Sequence, residues 1–165
     1  MPCARCCTSR TSIGCSGTTP RRTRRSMNTD QPGFHIDGPA GLAMVDRALD
    51  QLDLLWARSP EVSAEDRTLF TLAVSEVATN VVQHNGTAPV TMTVDVRVAG
   101  DVLCADITDS APPASIEWRD VAMPDADSES GRGLALARAA LDEFSHTFDE
   151  HGNTWTLRRH LTLAS

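Results

Sequence analysis

Apolar residues recur at helical spacing from about residue 42 to residue 84. From residue 90 to the end they mostly alternate. Leu42, Val45, Leu49, Leu52 and Trp56 predict an amphipathic helix whose outer face carries Asp46, Arg47, Asp50 and Asp53. Ser59-Pro60 ends it. Ser63-Ala-Glu-Asp66 reads as a capping-box-like start with Asp in place of the usual Glu. A second helix then runs from about Ala64 to Gln83 and stops at Asn85-Gly86. It is apolar around most of its circumference, which predicts burial on most sides. Ahead of both helices, Phe34-His-Ile36 is a short strand broken by Gly38-Pro39.

Alternation then takes over. Val90 to Val98 is β-branched and predicts a strand, Ala99-Gly-Asp101 a hairpin turn, and Val102 to Asp109 the returning strand. Residues 110–130 have no apolar period, and a loop of that length in a compact domain predicts a lid or binding loop. Gly131-Arg-Gly133 opens a third helix, Leu134 to about Leu141. Glu143 to Asp149 and Thr154 to Leu163 are two further strands around the turn Glu150-His-Gly-Asn153. The order β-α-α-β-β-loop-α-β-β predicts an α/β fold of the α+β kind. It is a two-layer sandwich with a mixed, mostly antiparallel sheet and helices on one face. The alternating βαβ units of a doubly wound fold are missing, and no internal repeat is visible.

Composition sharpens this outline. At 165 residues the chain suffices for one domain with a real core. With 4% aromatics and no Tyr, that core must be Leu, Val and Ala. The first 26 residues hold six of the 15 basic residues, all Arg, and none of the 22 acids. Residues 1–30 are therefore set apart as a basic leader expected to be disordered, with Met27 an alternative start, and residues 31–165 form the domain. The domain is strongly acidic, which argues against direct nucleic-acid binding and favours a basic partner surface. Cys104 is its only cysteine, so no disulfide framework is expected and a reducing cytoplasm fits. Cys3-Ala-Arg-Cys6-Cys7 lacks a second pair at zinc-finger spacing. No apolar run of membrane-spanning length occurs, and the leader has no secretory core.

Three features carry candidate chemistry. Glu76, Asn80 and His84 stand one turn apart, within about 80° of arc on the second helix. A carboxamide oxygen can ligate a hard metal, and a carboxylate one turn away can take a proton from a hydroxyl. The same spacing also suits polar side chains that satisfy loop backbone. Gly131-x-Gly133 before a helix can bring backbone amides and the helix N-terminus to an anion, although glycine turns at that place are common. Arg132 can pair with phosphate or stay solvated. Asp106-Ile-Thr-Asp109 ends a strand, where a buried Asp can accept from an exocyclic amine such as that of adenine or cap the loop backbone.

In this order and spacing the three features resemble the GHKL (Bergerat-fold) ATP-binding domains. Within them the chain is similar to the stand-alone anti-sigma-factor serine kinases of the RsbW and SpoIIAB type, over about residues 34–163. Ser75 to His84 looks like that family's N box, Asp109 falls where its G1 Asp reads adenine, and Ser130-Gly-Arg-Gly-Leu-Ala-Leu136 looks like its G2 loop. The resemblance implies ATP and Mg2+ as cofactors, with Asn80 as metal ligand and Glu76 as the base that activates a serine hydroxyl. It places His84 near the phosphates, with Gly131, Arg132, Gly133 and Leu134 over them. It implies a STAS-domain anti-sigma-factor antagonist as substrate, a sigma factor as second partner, and a homodimer. One position departs: Ala111 stands where the G1 box has glycine, followed by Pro112-Pro113. That departure opens the alternative of a catalytically weak or inactive ATP-binding module that acts as a partner-binding switch. A phosphoacceptor-histidine hairpin is not expected.

Overall fold

The computed structural model describes residues 31–84, 89–112 and 129–162. In chain order it contains β1 (Gly33–Pro39), α1 (Leu42–Arg58), α2 (Ala64–His84), β2 (Thr91–Ala99), β3 (Val102–Asp109), α3 (Glu129–Ala139), β4 (Glu143–Asp149) and β5 (Gly152–His160). The strands form one sheet in the order β1-β2-β3-β5-β4. Every pair is antiparallel, so the expectation of a mixed sheet narrows to an antiparallel one among the described strands.

Alternation decides which face is covered. On β2, Met92, Val94, Val96 and Val98 are buried against the helices, while Thr91, Thr93, Asp95 and Arg97 take the opposite face. Leu103, Ala105 and Ile107 of β3 and Trp155 and Leu157 of β5 continue the buried layer. From the other side come Leu52 and Leu55 of α1 and Phe70, Val74 and Val77 of α2. The open face is held by polar contacts instead. Arg97 and Arg158 flank Asp106 at 3.3 and 2.8 Å, which makes that carboxylate a strut of the sheet surface.

Three boundaries differ from expectation. β1 continues through Gly38-Pro39, which pair with Met92 and Thr91. As an edge strand it can end in a proline, whose missing N–H costs no ladder bond on the outer side. On α1 the buried stripe is Met44, Val45, Ala48, Leu52, Leu55 and Trp56, while Leu42, the first helical residue, is exposed. α3 starts at Glu129 rather than Leu134, so Gly131 and Gly133 lie inside its first turns. Glycine is a poor helix former, but packing against α2 overrides that preference. The leader 1–30, the Asn85-Gly86 stop and most of the 110–130 loop lie outside the described residues.

The start of α2 is fixed by a buried clasp. Ser63 Oγ accepts from the Asp66 N–H at 3.0 Å and donates to Asp66 Oδ2 at 2.7 Å, the expected cap in a variant form. Arg159 Nε donates to Asp66 Oδ1 at 2.8 Å, and the Thr162 N–H donates to Oδ2 at 3.0 Å. Arg159 Nη1 also reaches the carbonyl of Ala140 at 2.8 Å. One carboxylate thus ties α2, the end of α3 and the end of β5 together.

Candidate functional site

The clasp orients the helices. Asp66, near the start of α2, meets Arg159, whose partner on β3 is Leu103, near that strand's beginning. α2 packs on both β3 and β5. α3 ends beside the clasp at Ala140, while its early residue Gly133 lies against Glu76. The two helices are antiparallel, and the N-terminus of α3 points the same way as the second half of α2. Glu76 and Gly133 thus meet away from the clasp, and Asp109 ends β3 at the opposite end from Leu103.

Glu76 and Asn80 are half-buried, and His84, the last residue of α2, is exposed. Among the described residues, none is joined to these three side chains by a hydrogen bond or ion pair. Gly133 faces the Glu76 carboxylate so closely that a Cβ there would strike Oε2. Leu134 beside it is buried, and Arg132 is exposed.

Asp109 is 7% exposed and shows the loop-capping use of a strand-end Asp. Its Oδ1 accepts the Ala111 N–H at 2.9 Å, a turn cap that leaves Ala111 close against the carboxylate. Oδ1 also accepts from Asn153 Nδ2 at 2.9 Å. Oδ2 accepts nothing from the described residues. It is also not sealed away; the fully buried, unpartnered side-chain polar atoms among the described residues are Ser59 Oγ and Trp155 Nε1. Oδ2 is thus an acceptor without a partner among the described residues, suited to a ligand's N–H.

Two residues of this network were missed by sequence reasoning. Asn153 pairs with Asp109 across β3 and β5, 44 residues apart, and Phe148 is its β4 neighbour. It was read as part of a turn, although β5 already begins at Gly152. His146 Nε2 donates to Asn153 Oδ1 at 3.1 Å, and its ring lies 4.3 Å from that of Trp155. Burial lowers the His146 pKa, opposed by the Asn153 hydrogen bond and the Asp109 charge. The available signal was the alternation Phe144, His146, Phe148, which puts His146 on the helix face of β4.

Asp109 and Asn153 also line a hollow of about 140 Å³, together with Thr93, Thr108 and Thr154 of the open face. It is small for a nucleotide, whose sites usually run to several hundred Å³. Among the described residues no helix is long and apolar enough to cross a membrane. Nor does any group of three His, Cys, Asp or Glu among them form a metal site. A metal here would need a ligand set such as Asn80 with oxygens from its substrate.

Residues 38–159 match the family model of the histidine kinase-like ATPase domain. Among solved structures, the fold is similar to the RsbU and RsbW domains of a Mycobacterium tuberculosis protein. That likeness has a TM-score of 0.58 and 24% identity, and covers 79% of this chain and 32% of that one. A histidine kinase domain of a blue-light-activated kinase from Erythrobacter litoralis matches at TM-score 0.45 and 21% identity, over 74% of this chain and 61% of that one. This chain thus spans about a third of the first structure and under two thirds of the second. No curated protein matches it.

Proposed function

The chain belongs to the histidine kinase-like ATPase domain family, and from that membership we propose that it is an ATP- and Mg2+-dependent protein serine kinase of the anti-sigma-factor type. Its substrate is a serine on a STAS-domain antagonist in the cytoplasm. It holds a sigma factor when that antagonist is phosphorylated, and it acts as a homodimer. The observation that carries the reading is the pairing of Glu76 and Asn80. Both are half-buried, one turn apart on α2 and without a partner among the described residues, and the Glu76 carboxylate lies against Gly133 of α3. The likeness of fold to a structure containing an RsbW domain supports it further.

The residues present fit the nucleotide and its ion. Asp109 Oδ2, an open acceptor, takes the exocyclic amine of adenine. Asn80 offers a carboxamide oxygen to Mg2+, which needs only one or two protein oxygens when phosphates supply the rest. Gly131, Arg132, Gly133 and Leu134 in the first turns of α3 lie beside the phosphates, where the positive end of the helix favours negative charge. His84 lies one turn beyond Asn80 as a pocket residue. When bound, the ion neutralises charge on the phosphates during transfer. Glu76 accepts the proton of the serine hydroxyl, the serine oxygen bonds the γ-phosphorus, and the bond to ADP breaks. Incubation with labelled ATP and the cognate antagonist should label serine. Glu76→Gln should abolish that transfer while leaving ATP binding intact, and undiminished transfer removes Glu76 from the base role.

A second reading has its own observation. Ala111 and Pro112 are tied into the Asp109–Asn153 network, with Asn153 Nδ2 at 3.4 and 3.3 Å from their carbonyls. A stiffened start of the 110–130 loop favours a module that binds ATP and switches partners without transferring phosphate. Calorimetric titration that detects ATP but no serine labelling would favour this module. No ATP binding with Mg2+ present would remove both readings.

A further inference from the structure

We propose that Asn153 and His146 are a positioning pair that makes Asp109 select a base bearing an exocyclic amine over one bearing an oxo group. The inference rests on the nucleotide reading of Asp109. It extends that reading to two residues with no part in transfer.

The argument follows the hydrogen bonds outward from the carboxylate. Asp109 Oδ1 is filled by two donors, Asn153 Nδ2 and the Ala111 N–H, both at 2.9 Å. Oδ2 is therefore the oxygen left for a ligand, and as a bare acceptor it favours N–H over C=O. This holds only while the carboxylate keeps its rotation, and Asn153 supplies the side-chain half of that restraint. An amide can be turned end for end, which would set its oxygen against Asp109, acceptor against acceptor. His146 opposes the turn alongside the Ala111 and Pro112 carbonyls, because its Nε2–H occupies the amide oxygen at 3.1 Å. The ring is fixed in turn by Trp155, 4.3 Å away, and Phe148, 6.2 Å away. The chain of donors runs one way, from imidazole to amide to carboxylate, so the polarity at Oδ2 is set from β4.

The test compares ATP with inosine triphosphate, which carries an oxo group where adenine has its amine. Calorimetric titration of the full chain with both, Mg2+ present, gives an affinity ratio. The unaltered chain should prefer ATP by about a hundredfold, as expected when a buried acceptor is left facing an acceptor. Asn153→Ala should narrow the ratio about tenfold, the effect of one lost hydrogen bond to a charged group. Should that variant fail to fold, a second pair decides. His146→Phe keeps the ring packing, removes the donor and should narrow the ratio several-fold, and His146→Gln, which restores an N–H donor, should widen it again. A structural role alone would weaken both nucleotides together and leave the ratio unmoved. An unchanged ratio in folded Asn153→Ala and His146→Phe overturns this inference while leaving the nucleotide reading intact. Failure of the unaltered chain to bind ATP removes both.

Discussion

The carboxylate of Glu76 occupies the space that a side chain at Gly133 would need. This contact joins the middle of α2 to the first turns of α3, and it makes Gly133 a space requirement rather than a helix breaker. Gly133→Ala would add a methyl group in contact with Oε2. Because that oxygen ends a flexible side chain, it can swing aside, and alanine gains about 1 kcal/mol in helix propensity. Stability should therefore stay within about 1 kcal/mol of the unaltered chain. Under the proposed function, phosphoryl transfer should fall about a hundredfold, because the proposed base has been moved. Melting and transfer assays on the same preparation check both halves; transfer at full rate would show that Glu76 need not sit where it does.

Asp66 and Arg159 make a second long-range pair, with a different prediction. Asp66 has no exposure and Arg159 little, so neither charge has water to fall back on. Asp66→Ala should cost about 3–5 kcal/mol in urea unfolding, since it strands a buried guanidinium. Replacing both partners with apolar residues, Asp66→Leu with Arg159→Met, should recover much of that loss. A single variant with under 1 kcal/mol of effect would mean that Arg159 reaches solvent when released.

Local chemistry was readable where one segment decides the outcome. The β2–β3 hairpin, the Ser63 cap and the two-layer arrangement follow from alternation, a short turn and helical spacing. Asp109 was found because it ends an apolar strand. What stayed hidden depends on register between distant segments. Nothing near Asn153 says that it will face Asp109, and nothing near Asp66 says that Arg159 will meet it, 93 residues later. The early start of α3 was missed because glycine argues locally for a loop, and only the closeness of Glu76 shows why glycine is needed within the helix.

The two shifted side chains predict opposite ends of the acid range. Burial opposes ionisation of Asp66, but bonds from Ser63, Thr162 and Arg159, with the Arg159 charge, outweigh it and hold the carboxyl below the usual aspartate range. Its contribution is thus present above the unfolded value of about 3.9 and lost as pH falls through the lower folded value. His146 has a lowered pKa, so the unfolded chain takes up its proton first. Stability should decline as pH drops below about 6.5 and level off once the folded ring is also protonated. Urea unfolding across this range should show both steps. His146→Phe should remove the upper step, and Asp66→Asn the lower.

Gly152 packs against the backbone of Asp109, the strand-end acid of the network. It has a φ of 132°, a region side chains rarely adopt, and a Cβ there would overlap the carbonyl oxygen of Asp109 and lie 3.0 Å from Ser110 Cα. Those are backbone atoms of the neighbouring strand, which cannot swing aside as Glu76 can. Gly100 provides the comparison: its φ is 65°, but the space around it is open. Gly100→Ala should cost about 1–2 kcal/mol, from backbone strain alone. Gly152→Ala should cost more, roughly 3 kcal/mol or above, because strain and collision add. It should also displace Asp109 and weaken ATP binding, which Gly100→Ala should leave alone. Equal losses from the two variants would mean that the β3–β5 pairing yields at Gly152, and that Asp109 is held by its side-chain partners rather than by its strand.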